Sequence, residues 1–215
     1  MTSNLSLLAI IILLLSGCTA PARSIIDISL PYSTQPSNPN EKEVYINSLV
    51  DDRSFEAQPT DLSTPSLNPN TEQGNNLNAR AIARKSGSDG KGLGDILLPE
   101  GKSVELLVTN VLKQALIANG YKIISDKELI TDKTSIVDAK IDKFWAWMNQ
   151  GLLASSITSQ ISTNVVIKNS NNTEKRTTSV KQSDTFQSTS DNNWKEIIEK
   201  VLNVYAVKLS SQLKL

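Results

Sequence analysis

The chain of 215 residues contains no histidine and one cysteine. Without histidine there is no Ser-His-Asp triad, no Cys-His dyad and no imidazole metal ligand. One cysteine makes neither an internal disulfide nor a cysteine-rich zinc site. Net charge is also missing: 22 Lys+Arg balance 22 Asp+Glu. A neutral chain has no electrostatic attraction for nucleic acid, so none is expected as a partner. Aromatics are scarce at 5%. Seven of the ten lie between Tyr121 and Tyr205, which puts the expected core in the C-terminal half.

What is present begins at the N-terminus. No charged side chain occurs before Arg23, and Leu7 to Leu15 is an unbroken apolar run. Nine residues are too few to cross a bilayer, which takes about 20. The length suits the apolar region of a secretory signal. Leu15, Ser16, Gly17 and Cys18 follow in the order of a bacterial lipoprotein processing site. Small residues fit a narrow peptidase site, and the thiol of Cys18 is the nucleophile that takes a diacylglycerol group. One feature departs from the usual signal: residues 1–6 carry no Lys or Arg. Acyl chains such as palmitate at Cys18 would anchor the chain, because each buried methylene adds about 0.8 kcal/mol and two or three chains hold stably. Residue 19 is Thr rather than Asp. By the sorting rule of enteric-type bacteria this implies the outer membrane, facing the periplasm. The expected organisation is a signal peptide at 1–17, an anchor and tether at 18–42, and one domain at 43–215.

Within that domain, Glu43 to Val50 reads as a strand stopped by Asp51-Asp52-Arg53. Residues 57–78 carry three prolines, many asparagines and no aromatic. They read as a flexible loop, dispensable for folding. The glycine-rich stretch Ser86 to Gly94 matches neither a phosphate-binding loop nor a calcium loop and reads as a turn. From Ser103, the residues Val104, Leu107, Val108, Val111, Leu112, Ala115 and Leu116 make a helical stripe, ended by Asn119-Gly120. Tyr121 to Ile124 enters a strand. Ile136 to Met148, Ser155 to Lys168 and Thr177 to Thr189 form an expected antiparallel meander. A last helix, capped by Ser190 or Asp191, carries a stripe from Trp194 to Leu209 that should pack across it. The expected fold class is α+β: a mostly antiparallel sheet with a C-terminal three-stranded meander, packed against two amphipathic helices.

These features together resemble the YajG-type family of uncharacterised bacterial lipoproteins. The resemblance rests on Leu15 to Cys18, on Val44 to Arg53 (VYINSLVDDR), on the helix end Ala118-Asn119-Gly120-Tyr121, and on the meander with its terminal helix. It covers about residues 15–53 and 80–213, with 57–78 as an insertion. It implies a lipid-anchored envelope protein and supplies no catalytic residue.

No chemistry stands out. Asp51-Asp52 and Asp138 with Asp142 are acidic pairs, but a working carboxylate dyad needs convergence in a buried cleft. Lys140 between Asp138 and Asp142 reads as a solvated strand face. The expectation is therefore no catalytic residue, no metal and no cofactor. Trp145 and Trp147 form the candidate partner surface, since tryptophan is enriched at binding hot spots. The competing reading is that both rings cover the underside of a helix, which leaves Phe144 and Met148 the more exposed pair. The expected role is a non-enzymatic, protein-binding or accessory module of an envelope system. It is held to the membrane through acyl chains on Cys18 and meets an envelope protein partner. The alternative is a periplasmic lipid or small-molecule carrier.

Overall fold

The computed structural model describes residues 23–31, 42–68, 77–87, 92–151 and 153–213. Its strands are β1 (Ser24–Ile25), β2 (Glu43–Asp51), β3 (Ala81–Ser86), β4 (Gly92–Leu97), β5 (Lys122–Ile124), β6 (Ser135–Gln150), β7 (Ser155–Lys168) and β8 (Thr173–Phe186). Its helices are α1 (Leu77–Arg80), α2 (Val104–Ala118) and α3 (Asp191–Gln212), with a 3-10 turn at Lys127–Leu129. All eight strands join one mixed sheet organised on β6. One side of β6 carries β7 and then β8, both antiparallel. The other side is shared: β2 runs parallel along the first half of β6, and β3 meets the second half at Ala146. β5 extends from β2, and β4 and β1 extend from β3.

The expected meander and its two helices are present. The sheet is not mostly antiparallel, because four of its seven pairings are parallel. The reason is topological. Each parallel pair joins strands separated by long stretches of chain, where no tight hairpin imposes an antiparallel return, whereas the antiparallel pairs are consecutive strands.

Both long helices form where the apolar stripe and the caps agree. The Ser103 hydroxyl accepts the Leu106 N–H at 3.0 Å at the start of α2. Gly120 takes φ +83° just past its end, a conformation that glycine tolerates without strain. At α3, the Asn193 side chain accepts the Ser190 N–H at 2.8 Å. The buried residues of α2 and α3 are the two stripes read from the sequence. α3 lies on β7 and β8 and beside α2. Trp194 and Val201 are buried, and the Tyr205 hydroxyl meets Thr163 Oγ1 at 2.8 Å in the interior.

Strict alternation along β6 predicts that Val137, Ala139, Ile141, Trp145 and Trp147 share one face, and the structure divides them. Val137, Ala139 and Ile141 face the helices, and so do Phe144, Ala146 and Met148, while Trp145 and Trp147 face the other way. The face changes parity because the β6–β7 register skips Asp142, a β-bulge. One extra residue turns every later side chain onto the opposite face. A second departure concerns the N-terminus of the domain. Residues 23–31, placed in the tether by the expected boundaries although Arg23 to Leu30 reads as a short β-like run, pack into the fold: β1 pairs with β4, and Ile26 and Ile28 are core residues.

Candidate functional site

The candidate partner residues Trp145 and Trp147 and the alternative pair Phe144 and Met148 are all buried: Phe144 at 0%, Trp145 at 1%, Trp147 at 6% and Met148 at 6% exposure. Phe144 and Met148, expected to be the exposed pair, lie under the helices because of the Asp142 bulge. Trp145 and Trp147 lie on the far face with Ala81 and Leu97. Neither α2 nor α3 covers them. They are roofed by the segment after β2, through Phe55, Leu62 and Leu67, and by Leu77 at the start of α1. The Trp145 indole N–H donates to the Leu62 carbonyl at 3.3 Å, and the Phe55 ring meets Trp145 edge-on at 6.0 Å. Lys181 and Lys143 flank the Trp147 ring at 5.1 and 5.9 Å. Of the expected flexible loop, residues 57–68 are thus a packed flap and residues 77–78 begin α1. A buried Asn68 donates its N–H to the fully buried Asp95 carboxylate at 2.9 Å, and Glu56 N–H bonds Pro65 carbonyl at 2.9 Å. Residues 69–76 lie outside the described residues.

Arg53 holds the flap to the sheet. It sits where β6 parts from β2 and joins β3, a seam where strand carbonyls lose their ladder partners. Its guanidinium donates to the Ala81 carbonyl at 2.7 Å, the Phe144 carbonyl at 2.9 Å and the Asn78 carbonyl at 2.8 Å. Two further bonds of 2.7 Å run to the two oxygens of Asp51. The same group lies 5.2 Å from the Phe55 ring centroid. A planar fork of five donors meets all these acceptors, which a lysine could not do. The sequence shows Asp51-Asp52-Arg53 only as a polar stop, because nothing in it marks the seam.

The acidic pairs do not converge. Asp51 is bound by Arg53, and Asp52 lies 3.4 Å from Lys140. Asp138 accepts bonds from Asn47 and Ser48 at 2.7 Å and from Lys168 at 3.1 Å. The Asn47 bond foremost, with Ser48 and Lys168, holds its carboxyl below the usual range. Partial burial pushes Asp142 upward, aided by nearby Asp52. Four residue steps along the strand place Asp142 about 13 Å from Asp138, too far for a shared proton.

An apolar concavity beside α2 opens to solvent. The segment after β1 and the first turns of α2 enclose a groove of about 90 Å³, with Ile28, Leu30, Leu98, Leu106 and Leu107 as its apolar walls and Lys102 at its edge. Leu106 is 47% and Leu30 39% exposed. That volume takes one side chain, whereas small-molecule pockets run to about 300–1,000 Å³. The sequence stripe of α2 omits Leu106, so the groove was not legible there. Leu15, Ser16, Gly17 and Cys18 lie outside the described residues. No helix among the described residues is long and apolar enough to cross a membrane.

Several solved structures are loosely similar to this fold. A structure described as an uncharacterised protein has 12% identity over 90% of this chain and 97% of that one, with a TM-score of 0.45. A Xanthomonas campestris protein of the DUF330 family has 12% identity over 90% and 95%, with a TM-score of 0.43. A minor lipoprotein from Acinetobacter baumannii has 17% identity over 50% and 82%, with a TM-score of 0.35. Likenesses this loose carry no functional argument. No curated protein matches the chain by sequence. The family model Lipoprotein_16, described as "Uncharacterized lipoprotein", matches residues 78–211, from α1 through nearly all of α3. That span is well over half of the chain and agrees with the YajG-type resemblance; the protein belongs to this family of uncharacterised lipoproteins.

Proposed function

We propose that the protein is an envelope lipoprotein, acylated at Cys18 after removal of residues 1–17, and that it works as a non-enzymatic protein-binding module. Family membership is the observation that carries the reading. The order Leu15-Ser16-Gly17-Cys18 after nine apolar residues supports acylation at that thiol. Thr19 supports the outer membrane, with the domain in the periplasm. The partner is an envelope protein that presents an apolar side chain to the groove beside α2. A groove of about 90 Å³ suits that occupant better than a carried lipid.

Two measurements test the proposal. Fatty-acid labelling in cells should mark the wild type and not Cys18→Ser, because serine lacks the thiolate. Equal labelling of both would contradict the anchor. A photo-crosslinker at position 106 should capture one envelope protein, and Leu30→Asp should abolish that capture. Capture that Leu30→Asp leaves unchanged would rule out the groove as the contact.

A further inference from the structure

Two hairpin tips close the meander, and their chemistry differs. The β7–β8 tip is Asn-Ser-Asn-Asn, with Asn172 carbonyl accepting the Asn169 N–H at 3.0 Å. Polar side chains of this kind suit a solvated turn. The β6–β7 tip reads Gly-Leu-Leu-Ala, closed by the Gly151 N–H on the Ala154 carbonyl at 3.0 Å. Leu153 there is 95% exposed, the most exposed large apolar side chain of the described residues. A bare leucine on a tight hairpin contributes nothing to the fold that carries it.

The register of the sheet gives this tip a position. Ser24 stands opposite Ile96, Ile96 opposite Ala83, and Ala83 opposite Ala146, so the four share one rung. β1 runs parallel to β4, β4 antiparallel to β3, and β3 parallel to β6. The chain that precedes Ser24 therefore leads toward the end of the sheet where β6 ends. Gln150 pairs with Ser155. At about 3.3 Å per residue, Leu153 lies roughly 17–20 Å beyond the shared rung. Cys18 precedes Ser24 by six residues, which span at most about 20–22 Å fully extended. The acylated cysteine can thus extend no further than about the level of the tip. The polar tip lies on the other side of the rung: Lys168 is nine residues from Ser159, the partner of Ala146, which is about 30 Å away.

We infer that the β6–β7 hairpin tip, through Leu153, rests in the interfacial layer of the bilayer that holds Cys18, and fixes the domain upright with the Asn169–Asn172 tip pointing away. The occupant of this apolar tip is a lipid surface, chosen by the length of the connection from Cys18. A leucine at the interface buries apolar surface that is otherwise fully wet. The inference rests on acylation at Cys18.

Acylation consumes the thiol of Cys18, so a cysteine introduced by Leu153→Cys is the single reactive thiol. At 95% exposure the substitution removes no packing. The acylated chain with an environment-sensitive fluorophore at 153 is bound to phosphatidylethanolamine–phosphatidylglycerol vesicles and compared with Asn171→Cys. The expected result is blue-shifted emission at 153 and several-fold stronger quenching by brominated lipid than at 171. Equal, water-like emission at the two sites on vesicle-bound protein would overturn the inference. Failure of the protein to float with vesicles would instead refute the anchor. The chain from residue 18 with Cys18→Ser and hexahistidine ahead of it, on nickel-chelating lipid, then carries the same label at the same level and decides the tip by the same readout.

Discussion

The two faces of the sheet are covered by different means. The inner face lies under α2 and α3, with a core that runs from Ile26 to Leu213 and contains the largest helix side chains, Trp194 and Tyr205. The outer face has a small cluster of Ala81, Leu97, Trp145 and Trp147 under Leu77 of α1 and a flap, residues 55–68, that holds no strand or helix. A helix brings its own hydrogen bonds and its own stripe, so it needs only a surface to bury. A flap brings no stripe and only a few bonds of its own, such as Glu56 N–H to the Pro65 carbonyl. Its backbone must also borrow partners, here from Trp145, Asp95 and, through Arg53, from the sheet itself. The lesson is that satellite clusters under long segments depend on a few directed bonds, whereas the main core depends on area.

The largest expected effect breaks the inner face. Trp194→Ala should cost about 3–5 kcal/mol in denaturant unfolding of the domain, a large part of the stability of a domain of this size. An unchanged midpoint would mean that α3 is not packed on β7 and β8. Next is the seam. Arg53→Met keeps the stem and removes the donors, which leaves Asp51 and three carbonyls without them. It should cost about 3 kcal/mol. Arg53→Lys should recover only part of that loss, since a point charge cannot span the acceptors. On the outer face alone, Trp145→Phe keeps an aromatic ring and drops the bond to Leu62. The expected loss is about 1 kcal/mol, with faster hydrogen exchange at the Asn68 amide.

The smallest effect separates the two surface carboxylates. The native state holds Asp138 below the usual carboxylate range, so its stabilisation is present above about pH 4 and is lost as pH falls. Asp138→Asn should therefore be less stable than wild type at pH 7 by under about 1 kcal/mol, and the gap should close in acid. The native state raises Asp142, so the sign reverses: its protonated form is favoured, and stability is lost as pH rises through its folded value. Asp142→Asn should match or exceed wild type at pH 7, with the difference fading toward low pH. Unfolding curves of both variants at pH 3, 5 and 7 check the two signs together.

The legible part of the sequence was the part with a period. The stripes of α2 and α3, their caps and the strand Ser155–Lys168 follow from alternation and spacing alone. β4 escaped notice because its first residues, Gly92 to Gly94, look like turn. β6 was found, but its faces were misread beyond residue 142. A bulge is a register event between two strands and leaves no mark in either one alone. Residues 57–68 looked loop-like because their anchors are single leucines and backbone groups rather than a pattern. Arg53 looked like a surface charge because its acceptors come from elements distant in sequence. The candidate tryptophans are buried on the outer face because the flap, a feature with no sequence pattern, hides them.

The flap is a packed layer and not a loose connection. The direct measurement is deletion of residues 57–67, closed by a short glycine linker, followed by thermal unfolding and acrylamide quenching of the three tryptophans. The expected result is a loss of about 3 kcal/mol, seen as a fall in Tm of roughly 6–12 °C, with two of the three indoles newly accessible to quencher. An unchanged Tm with all three indoles still shielded would contradict it.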